Sequence, residues 1–145
     1  MSGKHAGSGG TRTTDRQKAI ARRWFEEVIN RRNLDAIADI YTPDYIHHGP
    51  GRSDMHGREA VRALAAQILA ASEDRHAEVV QQVGEGDLVA TRFISRGHHT
   101  GVFMGLQPTG RIWITEGNII SRIDNGRIAE DWEFARHTGL PVETP

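Results

Sequence analysis

The 145-residue sequence predicts an α+β fold in which about three N-terminal helices lie against a curved antiparallel or mixed sheet and enclose a hydrophobic pocket. Apolar residues recur at helical spacing up to Ser72, and beyond it the spacing changes to the period of two that is typical of strands. Turn signals, of which Asn125-Gly126 is the clearest, separate the later runs and indicate hairpins. A sheet curled around helices makes a cone, and its open end is a natural ligand pocket.

The chain is expected to form one domain between two short tails. Residues 1–14 are rich in Gly, Ser and Thr and predict a disordered tail, the domain spans residues 15–140, and residues 141–145 form a C-terminal tail. Thr14 and Gln17 have the spacing of a capping box and predict the start of the first helix.

Two further helices and four strands follow in order. Asn33 predicts the cap of a short second helix, and a third helix is expected from about Arg58 to Ala71. Its apolar stripe consists of Val61, Leu64, Ala65, Ile68 and Leu69. The strands are predicted within residues 76–84, 87–97, 111–123 and 127–135.

Composition excludes several classes of function. The net charge is −1 with both signs mixed along the chain, which gives no reason to expect nucleic acid or a membrane surface as a partner. The chain has no cysteine, so a disulfide framework, a thiolate metal site and a cysteine nucleophile are excluded. The sequence shows no signal peptide and no membrane-spanning run, and a cytoplasmic protein is expected.

The histidines occur as two adjacent pairs, His47-His48 and His98-His99, within extended segments. Successive strand side chains point to opposite faces, so only one member of each pair can enter a common cavity. We expect no metal site, because the helical spacing of zinc-binding histidines is absent. The inward member of each pair suits hydrogen bonding or proton transfer, since histidine titrates near neutral pH.

Glu116 lies in the middle of an otherwise apolar strand and shares a face with Asn118. Inside a cavity, desolvation would raise the pKa of the carboxyl and suit it to act as a base. On a solvent or subunit face, the same residue would be a surface charge. The sequence leaves both alternatives open.

The last strand is assigned to a face through its hairpin. If Asn125 and Gly126 form a two-residue loop, Ile123 pairs with Ile128. The face of Ile128 would then hold Glu130, Trp132, Phe134 and Arg136, together with Trp113, Thr115, Ile119 and Ser121 of the preceding strand. Such a face suits a flat, partly anionic organic ligand, although a one-residue bulge would break the correspondence.

Two stretches, "GHHTGVFMGLQPTGRIWI" and "IISRIDNGRIAEDWEF", resemble the C-terminal signature of SnoaL-like polyketide cyclases, members of the NTF2-like (ketosteroid isomerase-like) superfamily. The matching positions are Gly97, His99, Gly101, Phe103, Gly105, Pro108, Thr109, Gly110, Ile120, Arg122, Ile123, Gly126, Ile128, Glu130 and Trp132. The similarity extends back through "YTPDYIHHGP", with His48 at the family's histidine, and covers about Asp15 to Leu140.

The resemblance implies a cone around a hydrophobic pocket and ring closure by intramolecular aldol condensation, in natural-product biosynthesis, without metal or organic cofactor. It also implies a homodimer formed through the outer sheet face. The family usually has an acid/base aspartate four residues after the tryptophan, and here that position is Arg136. Arginine cannot act as a general base, because its pKa is far above neutral.

The resulting hypothesis is a cofactor-independent enzyme for a hydrophobic, polyketide-like carbonyl substrate. The catalytic candidates are His48, His99, Glu116 and Arg136. The candidates for substrate binding are Tyr45, Phe103, Met104, Trp113, Asn118, Trp132, Phe134 and Trp24.

Other readings stay open at this stage. The superfold hosts isomerisation, dehydration, hydroxylation, epoxide opening and cycloaddition, and the last of these needs no base. A non-catalytic module for hydrophobic ligands, or a structural dimerisation domain, would also keep the cone.

Overall fold

The structure, a computed structural model, describes residues 2–141, with side chains from residue 12 onward. The helical elements are α1 (Ser2–Arg23), its π-helical continuation (Trp24–Asn30), a 3₁₀ turn (Leu34–Ala36), α2 (Ile37–Ile40) and α3 (Arg58–Ala71). The strands are β1 (Tyr41–His48), β2 (Met55–His56), β3 (His76–Glu85), β4 (Leu88–His98), β5 (Ile112–Asp124) and β6 (Arg127–Thr138). The predicted α+β class is confirmed.

The first helix begins earlier in the chain than the sequence predicts. Helix α1 begins at Ser2 and passes through Thr14, where the capping-box pattern predicts a helix start. Most of the segment predicted as a disordered tail therefore belongs to this helix, while Met1 and residues 142–145 lie outside the described residues. The cap at Asn33 is confirmed, since its side chain accepts a hydrogen bond from the Asp35 backbone N–H at 3.2 Å.

All six strands form one mixed sheet in the order β2-β1-β6-β5-β4-β3. Neighbouring strands are antiparallel except β1 and β6, which are parallel. The parallel register places His47 beside Asp131 and His48 beside Trp132. Side chains at equal register on parallel neighbours share a face, so each histidine of this pair has a partner from β6 on its own side of the sheet.

The helices pack on the concave face of the sheet. Val28 is fully buried in one core cluster, and Phe25 packs on Phe93 of β4 with ring centroids 5.0 Å apart. Helix α3 buries Val61, Ala65 and Leu69 of its predicted stripe. The other two members, Leu64 and Ile68, are half-buried and line the space that remains between helices and sheet.

The β5–β6 hairpin turns as predicted but does not continue as predicted. Asn125 and Gly126 have φ values of 50° and 80°, as a tight two-residue hairpin loop requires, and Ile123 pairs with Ile128. The next pair is Arg122 with Glu130, so Ala129 is an extra residue in β6. This β-bulge reverses the facing of every later side chain of the strand.

The assignment of Trp132, Phe134 and Arg136 to the concave face is therefore wrong. Phe134 is 74% exposed and Trp132 39% exposed on the convex face. The residues of β6 that face the cavity are Asp131, Glu133, Ala135 and His137. The predicted facing of β5 is correct, since Trp113, Thr115, Ile119 and Ser121 all line the concave side.

Gly117 of β5 is a point of close approach between two strands. It pairs with Ala135, and a Cβ atom built on it would collide with the backbone carbonyl oxygen of Phe134. Glycine in a strand often marks such an approach or a local bend.

We therefore expect Gly117→Ala to lower the free energy of unfolding by about 1–3 kcal/mol, the usual cost of overpacking a tight site. The variant Gln67→Ala, on the exposed side of α3, is the control and should change it by less than about 0.5 kcal/mol. Urea denaturation of the two variants and the wild type measures both values. Equal stability of all three proteins would show that β5 and β6 can move apart at Gly117 without a loss of free energy of unfolding.

Candidate active site

A cavity of about 330 Å³ lies between the helices and the concave face of the sheet. Its apolar lining comes from both layers, with Trp24 and Ile68 from the helices and Phe93 and Ile119 from the strands. Of the residues predicted to bind substrate, the cavity brings together Trp24, Tyr45, Phe103, Met104 and Trp113. A largely apolar cavity with a few polar groups is typical of small-molecule sites.

One part of the cavity is acidic and contains a chain of hydrogen bonds. The Tyr45 hydroxyl donates to Asp131 Oδ2 at 2.7 Å and contacts His47 Nδ1 at 2.8 Å. A tyrosine hydroxyl has one hydrogen, so a hydroxyl that donates to Asp131 must accept from His47. Nδ1 of His47 therefore carries a proton, and the chain runs from His47 through Tyr45 to Asp131.

Burial sets the protonation of Asp131. The residue is 4% exposed, and desolvation raises the pKa of its carboxyl to about 6, although the nearby Ser121 hydroxyl and the hydrogen bond from Tyr45 act in the lowering direction. Oδ1 has no partner with good hydrogen-bond geometry. The carboxyl can therefore accept or release a proton close to neutral pH on the oxygen that Tyr45 does not occupy.

Glu133 continues the acidic part toward the loop between β1 and β2. Its Oε1 lies 2.9 Å from His47 Nε2, without the alignment of a hydrogen bond, and 3.9 Å from Arg52 Nη2. Arg52 belongs to the loop and also lines the cavity. The Arg52–Glu133 ion pair therefore holds the loop against β6 beside the cavity.

A second polar group lies further along β6, around His137. The Thr115 hydroxyl is 2.8 Å from His137 Nδ1, and the Trp113 indole N–H donates to the same nitrogen at 3.2 Å. Arg75, 4% exposed, donates to Thr115 Oγ1 at 2.9 Å and lies 4.0 Å from the Trp113 ring centroid as a cation–π contact. Burial lowers the pKa of Arg75 to about 10, and desolvation also lowers the pKa of His137, although part of the His137 side chain is exposed.

The predicted catalytic histidines do not line the cavity. His48 lies outside it, bound through Nε2 to Glu130 at 2.6 Å and through Nδ1 to Asp54 at 3.0 Å, and stacked on Trp132. The two carboxylates raise the pKa of His48, with Glu130 as the larger cause. His99 is fully buried beside Trp113, and neither of its ring nitrogens has a hydrogen-bond partner.

The remaining predicted residues lie together on the convex face. Glu116 and Arg136 form an ion pair there, and Asn118 and Phe134 are neighbours on adjacent strands. The alternative in which Glu116 is a surface charge is therefore the one that the structure shows. Asp131 and Glu133 face away from Arg136, as strand alternation predicts.

Four residues that line the cavity, His47, Asp131, Glu133 and His137, were not among the predicted site residues. A signal for His47 was present, because Tyr45 was assigned to the pocket and lies two positions earlier in the same strand. Strand periodicity alone should therefore have selected His47 rather than His48. The residues of β6 had no such signal, because the bulge at Ala129 leaves no mark in the hydrophobic pattern.

A cone with an apolar cavity and buried acid/base groups defines a protein that acts on, or binds, a small hydrophobic molecule. Residues 19–140 match the family model of SnoaL-like polyketide cyclases. The chain belongs to this family, which confirms the resemblance and the predicted class of function, a cyclase of natural-product biosynthesis.

Several known proteins are similar to this chain along most of their length. Aklanonic acid methyl ester cyclase DnrD of Streptomyces peucetius is 28% identical over 128 residues, covering 82% of this chain and 88% of the relative. IdmH, a candidate polyketide cyclase of Streptomyces antibioticus, is 31% identical in sequence, and its crystal structure superimposes with a TM-score of 0.70. The match covers 82% of this chain and 91% of IdmH. AclR, a candidate hydroxylase of Streptomyces galilaeus, is 28% identical, and its structure superimposes with a TM-score of 0.75. The match covers 85% of this chain and 76% of AclR.

Among the helices of residues 2–141, none combines the length and the apolar composition needed to cross a bilayer.

The buried carboxyl predicts a specific dependence of stability on pH. The pKa of Asp131 is raised in the folded state, so its contribution to stability is fully present below the unfolded pKa, near 4, and is lost as the pH rises through about 6. Relative to the wild type, Asp131→Asn should therefore gain about 2 kcal/mol in free energy of unfolding between pH 4 and pH 7.

Urea denaturation of both proteins at the two pH values measures this difference, and the comparison cancels groups that titrate equally in both. A difference that does not change with pH would mean that the Asp131 carboxyl titrates normally.

Proposed function

We propose that this protein closes a ring in an extended, hydrophobic polyketide-like carbonyl compound by intramolecular aldol condensation. The observation that carries the proposal is the Asp131 carboxyl, which is buried in the cavity wall with a pKa near 6 and one oxygen without a good partner. Such a group suits general acid/base catalysis at neutral pH. It would replace, on the same strand, the acid/base residue that Arg136 cannot supply.

The reaction needs one proton to move from carbon to oxygen. Asp131 Oδ1 takes the proton from the carbon next to a carbonyl group, and the electron pair of the C–H bond passes to the carbonyl oxygen as an enolate. The enolate carbon then forms a C–C bond to a second carbonyl carbon, whose π electrons pass to its oxygen. The protonated carboxyl returns its proton to that alkoxide, so the steps balance with side chains of this chain alone.

The hydrogen-bond chain behind Asp131 supports this role. The Tyr45 hydroxyl stabilises the carboxylate form, and His47 orients the hydroxyl from the other side at 2.8 Å. The apolar walls would exclude water and hold the two reacting carbons close, which can supply much of the rate enhancement of a ring closure.

The relatives suggest the chemical class of substrate. Three relatives are named aklanonic acid methyl ester cyclases, and we propose a related aromatic polyketide ester for this chain. A role beside polyketide assembly would place the protein in the cytoplasm.

We further propose that the protein is a homodimer formed through the convex sheet face. Large apolar side chains stand exposed there on adjacent strands, with Ile120 on β5 and Trp132 and Phe134 on β6. Contiguous exposed apolar surface on a sheet commonly marks an interface.

The catalytic proposal predicts that Asp131→Asn lowers kcat by about 100- to 10,000-fold, the usual contribution of a general base. Aklanonic acid methyl ester is the substrate to test, with product followed by chromatography. Glu116→Gln removes a carboxyl from the convex face and is the matched control, with kcat expected to stay within about twofold. A protein that binds the ester without converting it above background would instead be a binding module.

The hydrogen bond of Tyr45 predicts a shift in the pH profile. Activity that needs the Asp131 carboxylate should rise with pH through about 6. Tyr45→Phe removes a hydrogen bond that lowers the pKa, so the rising limb of kcat/KM should move to higher pH. An unchanged limb would exclude Asp131 as the titrating base.

The dimer proposal predicts that Phe134→Glu shifts the protein from dimer to monomer in sedimentation velocity. Val102→Glu, which places the same charge on an exposed loop residue outside the sheet, should leave the dimer intact. A wild type that sediments as a monomer at micromolar concentration would contradict the proposal.

A further inference from the structure

His137 lines the cavity, yet the proposed ring closure gives it no part. It lies on the same face of β6 as Asp131 but six residues further along the strand, which corresponds to roughly 20 Å of backbone. A group at this position therefore meets a part of the ligand that is remote from the reacting carbons.

The neighbours of His137 determine where its proton sits. Arginine and indole groups only donate hydrogen bonds, so Thr115 Oγ1 accepts from Arg75 and its own hydrogen is free for His137 Nδ1. The Trp113 N–H is directed at the same nitrogen. A nitrogen that accepts from two donors carries no hydrogen, and a neutral imidazole then has its hydrogen on Nε2.

Desolvation at the cavity wall favours the neutral form of His137, although part of the side chain stays exposed. It is the main cause that lowers the pKa of the ring; the negative charge of Glu133 opposes it, and the positive charges of Arg75 and Arg52 act with it. Trp113 and Thr115 both contact Nδ1, which leaves Nε2–H as the ring group available to a ligand in the cavity. Among residues 12–141, no side chain or backbone group accepts a hydrogen bond from it.

Arg75 makes this end of the cavity electropositive. Its guanidinium donates to the Trp113 and Ser95 carbonyl oxygens and to Thr115, and within the described residues it has no carboxylate in salt-bridge contact. A buried cation next to a free N–H favours an oxygen that bears negative charge or a strong dipole. The buried Asp131 carboxyl, six residues earlier on the same face of β6, belongs to the acidic part of the wall.

We propose that His137 is a specificity-determining residue whose Nε2–H binds a carbonyl or enolate oxygen at the remote end of the substrate. The inference rests on the proposed function for the identity of that substrate as an elongated polyketide. Arg75 and Thr115 are positioning residues that hold the ring as a donor. The site would select molecules with an oxygen acceptor far from the ring-closing carbons over purely hydrocarbon ring systems of the same shape.

The tautomer is tested without any ligand. Two-dimensional ¹⁵N spectra of the histidine rings at pH 7 should show His137 as neutral with its hydrogen on Nε2, and His137→Gln assigns the signal. In Thr115→Val the Nδ1–H form should become populated, because that nitrogen loses its main donor. An imidazolium ring, or an Nδ1–H ring in the wild type, would overturn the inference.

The oxygen preference is tested with two probes of equal charge and similar shape, anthraquinone-2-sulfonate and anthracene-2-sulfonate. Quenching of tryptophan fluorescence gives both dissociation constants. The dissociation constant of anthracene-2-sulfonate divided by that of anthraquinone-2-sulfonate measures the preference for the quinone oxygens. His137→Leu should lower this ratio about five- to tenfold, the usual effect of one hydrogen bond, while anthracene-2-sulfonate binding stays unchanged and serves as the folding control. His137→Gln retains an amide donor and should restore most of the ratio.

These outcomes separate the inference from the proposed function. Asp131→Asn should abolish turnover and leave the probe ratio unchanged. If the protein closes no ring but the ratio still depends on His137, the cyclase proposal fails and the binding site stands. A wild type that does not distinguish the probes, or a ratio that His137→Leu leaves unchanged, overturns the inference.

Discussion

The β-bulge at Ala129 inserts one residue into β6 opposite Arg122, and the content of the cavity depends on that insertion. Strand side chains alternate between faces, so a single extra residue exchanges the two sets that follow it. With the bulge, Asp131 and His137 face the cavity and Arg136 faces outward. Without it, the carboxylates would lie in solvent and the cavity would hold an arginine and two aromatic rings.

The parallel pairing of β1 with β6 completes the acidic part of the site. It places His47 directly beside Asp131, and Tyr45, two residues earlier on the same face, reaches the Asp131 carboxyl. The buried carboxyl is stabilised by only a few hydrogen bonds, so it weakens the fold once it ionises. A protein that keeps such a group at the expense of stability commonly uses it for chemistry.

The polar groups of the cavity differ along β6. Asp131 makes one part of the wall acidic, while Arg75 and the neutral His137, six residues further along the strand, supply hydrogen-bond donors, with Glu133 between them. A symmetric hydrocarbon would have no preferred orientation in such a site. An elongated molecule with an acidic C–H bond at one end and an oxygen acceptor at the other would bind in one direction, which is what a regiospecific ring closure needs.

The sequence by itself determined the class of fold, the limits of α3, the Asn125-Gly126 hairpin and the family, because these follow from local periodicity, turn chemistry and short motifs. It also selected much of the apolar lining, including Trp113 and Phe103. Only the tertiary structure decided which polar groups share the cavity. Facing in a strand depends on register, and one bulged residue reverses it while leaving the local pattern of apolar residues unchanged.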